Sequence, residues 1–580
     1  MLNFKAGKMK RINKHLWLFM MATVILGITW SCQTDENEVT PQPGELTFLA
    51  EADQEGMIQI GEKLENPYSV GNMQKAWELL LEKDPNGRTA GKDIVRTTHL
   101  YIRFVPKDSA ELELLEADTT IMLWDYPLDY EITEGGDFYH DPELPIEQPT
   151  YQYCAVEVGK KLPGVEYQLL AELYLPEEDE ELGDEVENGR TTGYSIVDDL
   201  LAKAFEITGN ADDLEPNKAE GLQNAKWNPS GRVRVWDDRA KRYVPVIGCK
   251  VRARRWFRGK DAHTDANGNY RIGKFRSKRV NYSIRWERYH FSIRSGTFGQ
   301  AWLNGPKKKR RSWNVDLGRK GSTRVTDKQQ YYALIHQAAY DYYYGNRFGL
   351  ASPPRNSSWK PQVKISASQT HRQHDKRSHA AAYARTGGIF PSVYIRQWNR
   401  TSDNVYAVTC HELAHLAHWD MDRSAFRSLV VAAWAPFAPY ILLPGREKYA
   451  AVIESWGQGV EWQFAQQRYR NRFGIGGYEY EDNLRINGVT NGNYQAQTIS
   501  GDPIYTSIVV DLMDTENQRN TTGKGSTNIP LDRVSGYTIR QIEQSLKGAR
   551  SWKKWRDNLR DQHINGSENR LNELFANWHK

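Results

Sequence analysis

The chain has 580 residues, of which 39% are hydrophobic and 12% are aromatic. This composition excludes a mainly disordered protein and is sufficient for about three or four globular domains. The formal net charge is +4, which is nearly balanced, so charge by itself does not indicate a nucleic-acid-binding protein.

The N-terminus, residues 1–32, has the pattern of a processing signal. A basic segment, Lys5–Lys14, precedes an apolar run, Leu16–Trp30, which is short for a membrane span. Cys32 follows the small residue Ser31, and this order resembles a bacterial lipoprotein signal. The resemblance implies that Cys32 is lipidated and anchors an exported protein to the membrane, at the outer membrane or cell surface. An ordinary secretory signal cleaved nearby is the alternative.

Two segments follow this signal. Residues 33–60 are polar and acidic, and we interpret them as a flexible tether. Residues 61–228 are predicted to form a domain of mixed α/β or mainly β structure, because Thr98–Val105 and Tyr167–Leu175 alternate like strands. Its acidic run, Pro176–Asn188, is interpreted as a solvated linker. Calcium binding is the alternative, although the regular spacing of calcium loops is missing.

Three cysteines follow the signal: Cys154, Cys249 and Cys410. An odd number cannot pair completely, and these three are far apart in sequence, so no disulfide framework is expected. A bond between Cys154 and Cys249 stays open. Cys410 is expected to pack in a helix rather than to bind a metal.

A second domain is predicted over residues 229–318, made of short strands with Asn267-Gly268 at a hairpin turn. The segments Pro245–Trp256 (PVIGCKVRARRW) and Thr264–Ile272 (TDANGNYRI) resemble carboxypeptidase regulatory-like domains. The resemblance implies a transthyretin-like β-sandwich that serves as a spacer or a binding module.

This second domain is rich in arginine and lysine and ends near the run KKKRR, Lys307–Arg311. Binding of nucleic acid or of an anionic polysaccharide is one interpretation, and a solvated basic face is the other. Because an exported protein meets acidic glycans more readily than nucleic acid, nucleic acid is not an expected partner.

The third domain, residues 322–580, contains an H-E-x-x-H motif formed by His411, Glu412 and His415. On a helix the two histidines lie on one face, about one turn apart. The apolar residues and the absence of proline in Val408–Asp422 favour a buried helix. Two imidazoles in this arrangement can bind zinc, with Glu412 as the base for a water molecule. A structural helix with satisfied histidines is the alternative.

This stretch resembles the active-site helix of the zincin metallopeptidases. The resemblance implies a zinc-dependent peptidase fold and an edge strand just before the metal helix, to which a substrate peptide adds as a further strand. Val393, Tyr394 and Ile395 are the residues expected in that strand. Three histidines lie upstream: His371, His374 and His379. We interpret them as exposed polar residues, and a second metal site is the alternative.

A catalytic zinc site needs a third protein ligand. His418 does not qualify, because it lies about 10.5 Å from His411 along the helix axis, whereas ligands bind at about 2 Å. The metzincin pattern is excluded, since Met421 stands where that pattern requires a histidine. Glu454 interrupts an apolar helical run, where a carboxylate needs a partner such as a metal. This layout resembles the gluzincins, whose third ligand is a glutamate on a second helix. The expected third ligand is Glu454, with Glu461 as the second choice.

Two further sets of residues are expected around the site. Asp422 and Gln458 are candidates for orienting the ligands as hydrogen-bond acceptors. A donor that stabilises the oxyanion is expected among downstream tyrosines that the sequence does not rank: Tyr478, Tyr480 and Tyr505.

These patterns predict a multidomain α+β protein with a mixed or β N-terminal domain, a central β-sandwich and a mainly α zincin-like domain. The function they favour is an exported, zinc-dependent metallopeptidase that cleaves a protein or glycoprotein, with Glu412 as general base. One alternative is a catalytically inactive zincin-scaffold lipoprotein that acts as an adhesin or glycan-binding protein. In a second, the basic β-domain binds an acidic polymer and is the main functional part. The sequence does not specify the cleaved bond or the oligomeric state.

Overall fold

The computed structural model describes most of the chain between residues 56 and 579. The described ranges are 56–83, 94–145, 148–176, 186–187, 190–191, 196–214, 227–275, 277–295, 299–357, 362–367, 369, 379–380, 393–435, 438–475, 498–499, 503–520 and 525–579. The predicted signal with Cys32, nearly all of the tether and most of the acidic run lie outside these ranges. So do His371, His374, Tyr478 and Tyr480.

Secondary structure changes in character along the chain. The N-terminal half is mostly β, whereas the C-terminal part is mostly helical, so the predicted α+β class is confirmed at this level. The identity of each predicted domain stays a prediction. None of the described helices combines the length and the apolar character that crossing a membrane requires.

The described part up to residue 214 is built on a three-stranded antiparallel sheet of order β4-β2-β5. Alternate residues of β2 point to opposite faces, so that Tyr101 packs toward helices α1 and α3, and Ile102 packs toward α2. The two predicted strands are present as β2 and β5. The elements are β1 (Gln59–Lys63), α1 (Val70–Lys83), β2 (His99–Phe104), α2 (Ser109–Ala117), β3 (Tyr130–Glu134), β4 (Gln152–Glu157), β5 (Tyr167–Leu173), β6 (Val186–Glu187), β7 (Arg190–Thr191) and α3 (Ile196–Ile207).

The next part contains two facing sheets, of order β11-β10-β13-β16 and β12-β8-β17, with β9 paired to β8. A turn is present at Asn267-Gly268, but the prediction of a hairpin is wrong, because β11 pairs with β10 and β12 pairs with β8 in the other sheet. The Asp265 carboxylate accepts hydrogen bonds from the backbone N–H groups of Asn267 and Asn269. Gly268 has a φ of +78°, which explains glycine at this position. The elements are β8 (Ser230–Asp237), β9 (Arg242–Pro245), β10 (Lys250–Arg255), β11 (Arg258–His263), β12 (Asn269–Arg271), β13 (Arg279–Arg285), β14 (Glu287–Arg288), β15 (Phe291–Arg294), β16 (Trp302–Lys309) and β17 (Trp313–Leu317).

The C-terminal part packs helices around a five-stranded sheet of order β14-β15-β18-β20-β19. Strand β15, from the predicted second domain, pairs with β18 in parallel, and one hydrophobic core extends from Val233 to Trp578. Pairing and packing therefore cross the predicted boundary at residues 318–322. The elements are α4 (Lys328–Tyr344), β18 (Val363–Ala367), β19 (His379–Ala380), β20 (Val393–Ile395), α5 (Ser402–Met421), α6 (Arg423–Ala433), β21 (Trp434–Ala435), β22 (Ala438–Leu442), α7 (Glu447–Ala465), α8 (Ile508–Met513), α9 (Ile539–Ser545), α10 (Trp552–Gln562) and α11 (Leu571–Trp578).

The described cysteines, Cys154, Cys249 and Cys410, are all buried free thiols. The expectation that the described chain contains no disulfide framework is confirmed, and the open Cys154–Cys249 bond does not form. Cys410 packs in the core of α5, as predicted.

Candidate metal centre

Helix α5 carries the H-E-x-x-H motif through the middle of the C-terminal core. Every residue from Thr409 to Trp419 is buried. A helix that is covered on all sides needs small or apolar neighbours around it, and α4 and α7 supply them on two sides. Tyr406 fixes the rotation of α5 by donating a hydrogen bond of 2.8 Å to Asp341 of α4.

Helix α7 approaches the two histidines closely because it has glycine at the contact. A Cβ at Gly457 would lie 2.7 Å from Cε1 of His411 and 2.8 Å from Cε1 of His415. Two residues later, a Cβ at Gly459 would collide with Val509 of α8 on another side of the helix. The two glycines thus allow α7 to lie directly between α5 and α8.

This approach brings His411, His415 and Glu454 together in one buried group. Glu454 Oε2 lies 3.4 Å from Nε2 of His411 and 3.7 Å from Nε2 of His415. Ligand atoms of all three side chains fit within 4.8 Å of one another, and the described residues contain no other such group of three. The predicted first choice for the third ligand therefore faces the same nitrogen of both rings.

The charges of these groups are strongly linked. Burial alone would raise the pKa of Glu454, but His411 and His415 outweigh it and lower the pKa to about 2. Burial also opposes protonation of His411, yet Glu454 and Glu461 raise its pKa well above the usual value. The pKa of His415 is lowered by burial and by His411. The centre therefore keeps an anionic carboxylate beside two imidazoles.

Glu461, the second choice for the third ligand, lies on the other side of the His411 ring. Its Oε2 is 3.4 Å from Nδ1, whereas Glu454 faces Nε2. Because the two nitrogens point in opposite directions, Glu461 is placed to orient His411 rather than to join the group of three. The sequence indicated Glu461 because it follows Glu454 by seven residues. Seven residues are about two helical turns, so both side chains lie on the same helix face.

Glu412 and His418, two other polar residues near the centre on α5, lie in different surroundings. Glu412 is 2% exposed, and its negative charge helps to raise the pKa of His411. His418 is fully buried outside the group of three and packs edge-on against Phe426. Burial and the nearby His415 lower the pKa of His418 to about 3. His418 is thus a neutral core residue, and its exclusion as a ligand agrees with this position.

The two predicted orienting residues occupy different positions in the fold. Asp422 accepts hydrogen bonds from the backbone of Ala425, at 3.0 Å, and of Gly548, at 2.8 Å. It thereby caps helix α6, and its role in orienting a ligand stays a prediction. Gln458 is buried on α7 next to Gly457, and its orienting role stays a prediction.

Tyr505 is the described one of the three candidate tyrosines, and its ring centroid lies 6.3 Å from that of His411. Ser455, which follows Glu454 on α7, holds this segment through its hydroxyl. It donates to the carbonyl of Ile504 at 3.3 Å and accepts a hydrogen bond from the hydroxyl of Thr506 at 2.8 Å. Ser455 thus positions the segment that contains Tyr505.

The expected substrate strand requires a correction. Val393, Tyr394 and Ile395 form β20, but β20 lies between β18 and β19 and is not an edge. His379 pairs with Tyr394, and Ala380 pairs with Val393, so the edge position belongs to β19. Sequence alternation identifies a strand but contains no information about which distant residues pair with it.

The end of β8 and the turn that follows it contact the ends of the two helices that carry the centre. Asp238 accepts hydrogen bonds of 2.9 Å from the backbone and the hydroxyl of Ser402, the first residue of α5. Arg468, in the π-helical extension of α7, donates to Asp237 at 3.3 Å, and both side chains are almost completely buried. Sequence reasoning missed this contact because 231 residues separate its partners.

Comparison with known proteins adds no relative. No family model, no curated protein and no solved structure matches the chain. An assignment of function therefore has to start from the buried group of His411, His415 and Glu454 and from Glu412 beside it.

Proposed function

We propose that the protein is a zinc-dependent metallopeptidase of gluzincin type. His411, His415 and Glu454 would hold the ion, and Glu412 would act as the general base. The observation that carries the proposal is the placement of Glu454 Oε2 at 3.4 Å and 3.7 Å from the Nε2 atoms of the two histidines. The H-E-x-x-H spacing supplies the base beside the first ligand.

The distances favour a metal centre over a buried ion pair. Charge-assisted N–H···O bonds close to about 2.7–2.9 Å, and neither oxygen of Glu454 accepts a hydrogen bond within the described residues. Ligand atoms at about 2.0–2.1 Å from a tetrahedral zinc ion lie roughly 3.3–3.4 Å apart. The observed separations of 3.4 Å and 3.7 Å are close to that value.

The number and type of ligands favour zinc. Two imidazole nitrogens and one carboxylate oxygen form a common ligand set of catalytic zinc, and three protein ligands leave a position for water or substrate. A zinc ion bound there supplies Lewis acidity toward a carbonyl and makes water more acidic. Glu461 would hold the His411 ring in place through Nδ1.

Glu412 and Tyr505 would have different roles in hydrolysis. The Glu412 carboxylate accepts a proton from the attacking water and delivers it to the nitrogen of the leaving amine. Tyr505 is the candidate donor to the oxyanion, since its ring lies beside His411. Burial around Glu412 strengthens these interactions, because charges act over a low local dielectric.

The proposed setting is extracellular. We retain the inference from the N-terminal pattern that the chain is exported and anchored through Cys32, with a protein or glycoprotein as substrate. The substrate strand would add at β19, which occupies the edge of the five-stranded sheet.

The deciding experiment combines metal content with hydrolysis. Elemental mass spectrometry on the full chain is expected to find about one zinc ion per chain in wild type and in Glu412→Gln, but little in Glu454→Ala. A mixed peptide library is expected to be cleaved by wild type only. Glu412→Gln is the matched variant, because it keeps the size of the side chain and removes only its basicity.

Each result has a distinct meaning. If wild type takes up no metal after reconstitution with zinc, the centre is structural and the proposal is wrong. If zinc binds but Glu412→Gln cleaves the library as fast as wild type, Glu412 is not the base. If zinc binds and no peptide is cleaved, the inactive zincin scaffold becomes the better assignment.

A further inference from the structure

The basic residues of the β-sandwich fall into a covered set and an uncovered set. The pairing register places Arg252, Arg254 and Arg285 on one face of the sheet β11-β10-β13-β16. All three are 4% exposed, because the segment around Trp124 and Leu128 covers them. The covered arginines are therefore not available to a ligand.

Contacts from the N-terminal part and from the sheet itself surround the covered set. Arg252 donates to the carbonyl of Leu123 at 3.0 Å, and Arg254 donates to that of Leu128 at 3.0 Å. The guanidinium of Arg285 lies 4.9 Å from the Trp302 ring centroid. An isolated segment 229–318 would expose these arginines, so its retention on an anionic matrix would not report a native surface.

The same sheet continues beyond this cover into a basic corner, which we define as Lys278, Arg279 and Lys307–Arg311. Strands β13 and β16 bring the two basic runs side by side, with Arg279 opposite Lys309 and Val280 opposite Lys308. The backbone N–H of Arg310 also donates to the carbonyl of Lys278 at 3.0 Å. Arg279 and Lys309 therefore point to one face of the sheet, and Lys308, opposite the buried Val280, points to the other. The corner thus surrounds the end of β16, the edge strand of this sheet, rather than covering one face.

Carboxylates of the described residues approach two cations of this corner, Lys307 and Arg279. Glu131 pairs with Lys307 at 3.1 Å, and Asp212 approaches Arg279 only to 3.9 Å. Within the described ranges Lys278, Lys308 and Arg311 make no ion pair. Burial and the cations of Arg255 and Arg279 lower the pKa of Lys307, which shows that like charges crowd one another here. An added polyanion would relieve this repulsion.

We propose that the basic corner binds an extended anionic polysaccharide. The cations surround the end of an edge strand and follow both β13 and β16, which lie about 4.8 Å apart, so they suit a chain of repeated charges that passes around this edge rather than one small anion. The described aromatic residues of β13 and β16, Tyr282 and Trp302, are buried and offer no stacking surface for bases. This inference stands apart from the proposed peptidase function.

The test compares two charge-matched triple variants of the full chain. The corner variant is Lys278→Glu, Lys308→Glu and Arg311→Glu. The control variant, Lys320→Glu, Lys553→Glu and Lys554→Glu, changes the net charge equally at exposed positions elsewhere. Binding to heparin, to polygalacturonate and to a DNA duplex is measured at low and at about 0.15 M ionic strength.

We expect wild type to bind at least one of the two polysaccharides at low salt. The corner variant should bind that polysaccharide roughly tenfold more weakly, and the control variant should stay close to wild type. In wild type, the bound polysaccharide should protect Lys278 and Lys308 from acetylation, a readout that needs no substitution. Equal melting temperatures of the three proteins establish that the substitutions leave the fold intact.

Three results would overturn the inference. Absence of binding to both polysaccharides at low salt removes it. Equal weakening of both variants assigns the affinity to net charge rather than to the corner. Tighter binding to duplex DNA than to either polysaccharide assigns the surface to nucleic acid instead.

Discussion

Glu461 Oε2 lies 3.4 Å from Nδ1 of His411, and Glu454 Oε2 lies 3.4 Å from Nε2 of the same ring. One imidazole is thus held between two carboxylates of helix α7. A metal can take only the side that also faces His415, so the two glutamates have different roles.

Replacement of Glu461 by glutamine should weaken zinc binding without abolishing it. The variant loses the anionic partner that orients His411, and such partners typically contribute a 10- to 100-fold factor in metal affinity. Competition with a chromophoric chelator measures the change. Glu454→Gln serves as the comparison and should lose far more affinity, because it alters a proposed ligand. Equal losses in both variants would contradict the division of roles.

Addition of one methyl group at Gly457 should disrupt the centre. In Gly457→Ala the new Cβ would lie 2.7 Å from Cε1 of His411, so α7 or the ring must move. We expect a loss of about 1–3 kcal/mol in the free energy of unfolding and weaker zinc binding. Gly71→Ala is the control, since a Cβ at this helical position contacts nothing within 4 Å. Zinc affinity equal to wild type in Gly457→Ala would show that α7 and the histidines of α5 are not in tight contact at this position.

Arg468→Met tests the contact between the end of β8 and the extension of α7. It leaves Asp237 buried without its cationic partner, and breaking a buried pair costs about 3–5 kcal/mol. Urea denaturation measures the loss. Arg423→Met removes a pair whose arginine is 53% exposed and should cost less than about 1 kcal/mol. Similar losses in the two variants would mean that the contact with Asp237 contributes little.

A buried carboxyl group near α8 predicts a dependence of stability on pH. Burial, opposed by the bond from the Val534 backbone N–H and assisted by Asp514, raises the pKa of Asp532 to about 8. The unfolded carboxyl has lost its proton above about pH 4, whereas the folded one retains it. The folded state therefore binds more protons between pH 4 and 8, and stability falls as pH rises.

Asp532→Asn should remove the contribution of this group, which amounts to at most about 1.4 kcal/mol per pH unit. The nearby Asp511, whose pKa burial and Asp532 also raise well above the usual value, keeps a contribution of its own. Urea denaturation of both proteins between pH 5 and 8 measures it, and the variant should gain stability over wild type as pH rises. Asp561→Asn, at an exposed carboxylate, is the control. Parallel stability curves for wild type and Asp532→Asn would contradict the raised pKa.

Much of the candidate centre could be predicted because it depends on short-range geometry. The spacing of His411 and His415 determines that both rings share a helix face, and the apolar run around Glu454 indicates a buried carboxylate. The position of Glu461 on the same face follows from helical periodicity, but its choice of Nδ1 over the metal side depends on how closely α7 approaches α5. Gly457 permits that approach.

Contacts between distant residues could not be predicted in the same way. Strand β20 is interior rather than an edge because His379 pairs with Tyr394, and no local pattern specifies such a partner. Asp422 was expected to orient a ligand. It caps α6, because the fold brings the backbone N–H groups of Ala425 and Gly548 within hydrogen-bond distance of its carboxylate.

Local patterns were enough to predict the α+β class, the strands β2 and β5, and the helix that carries His411 and His415. These features follow from periodicity and from the properties of individual residues, which act over a few positions. Long-range packing specifies which carboxylate faces which nitrogen of His411, which strand forms the edge, and which arginines are covered. Those outcomes depend on packing between segments that are far apart along the chain, and local patterns contain no record of it.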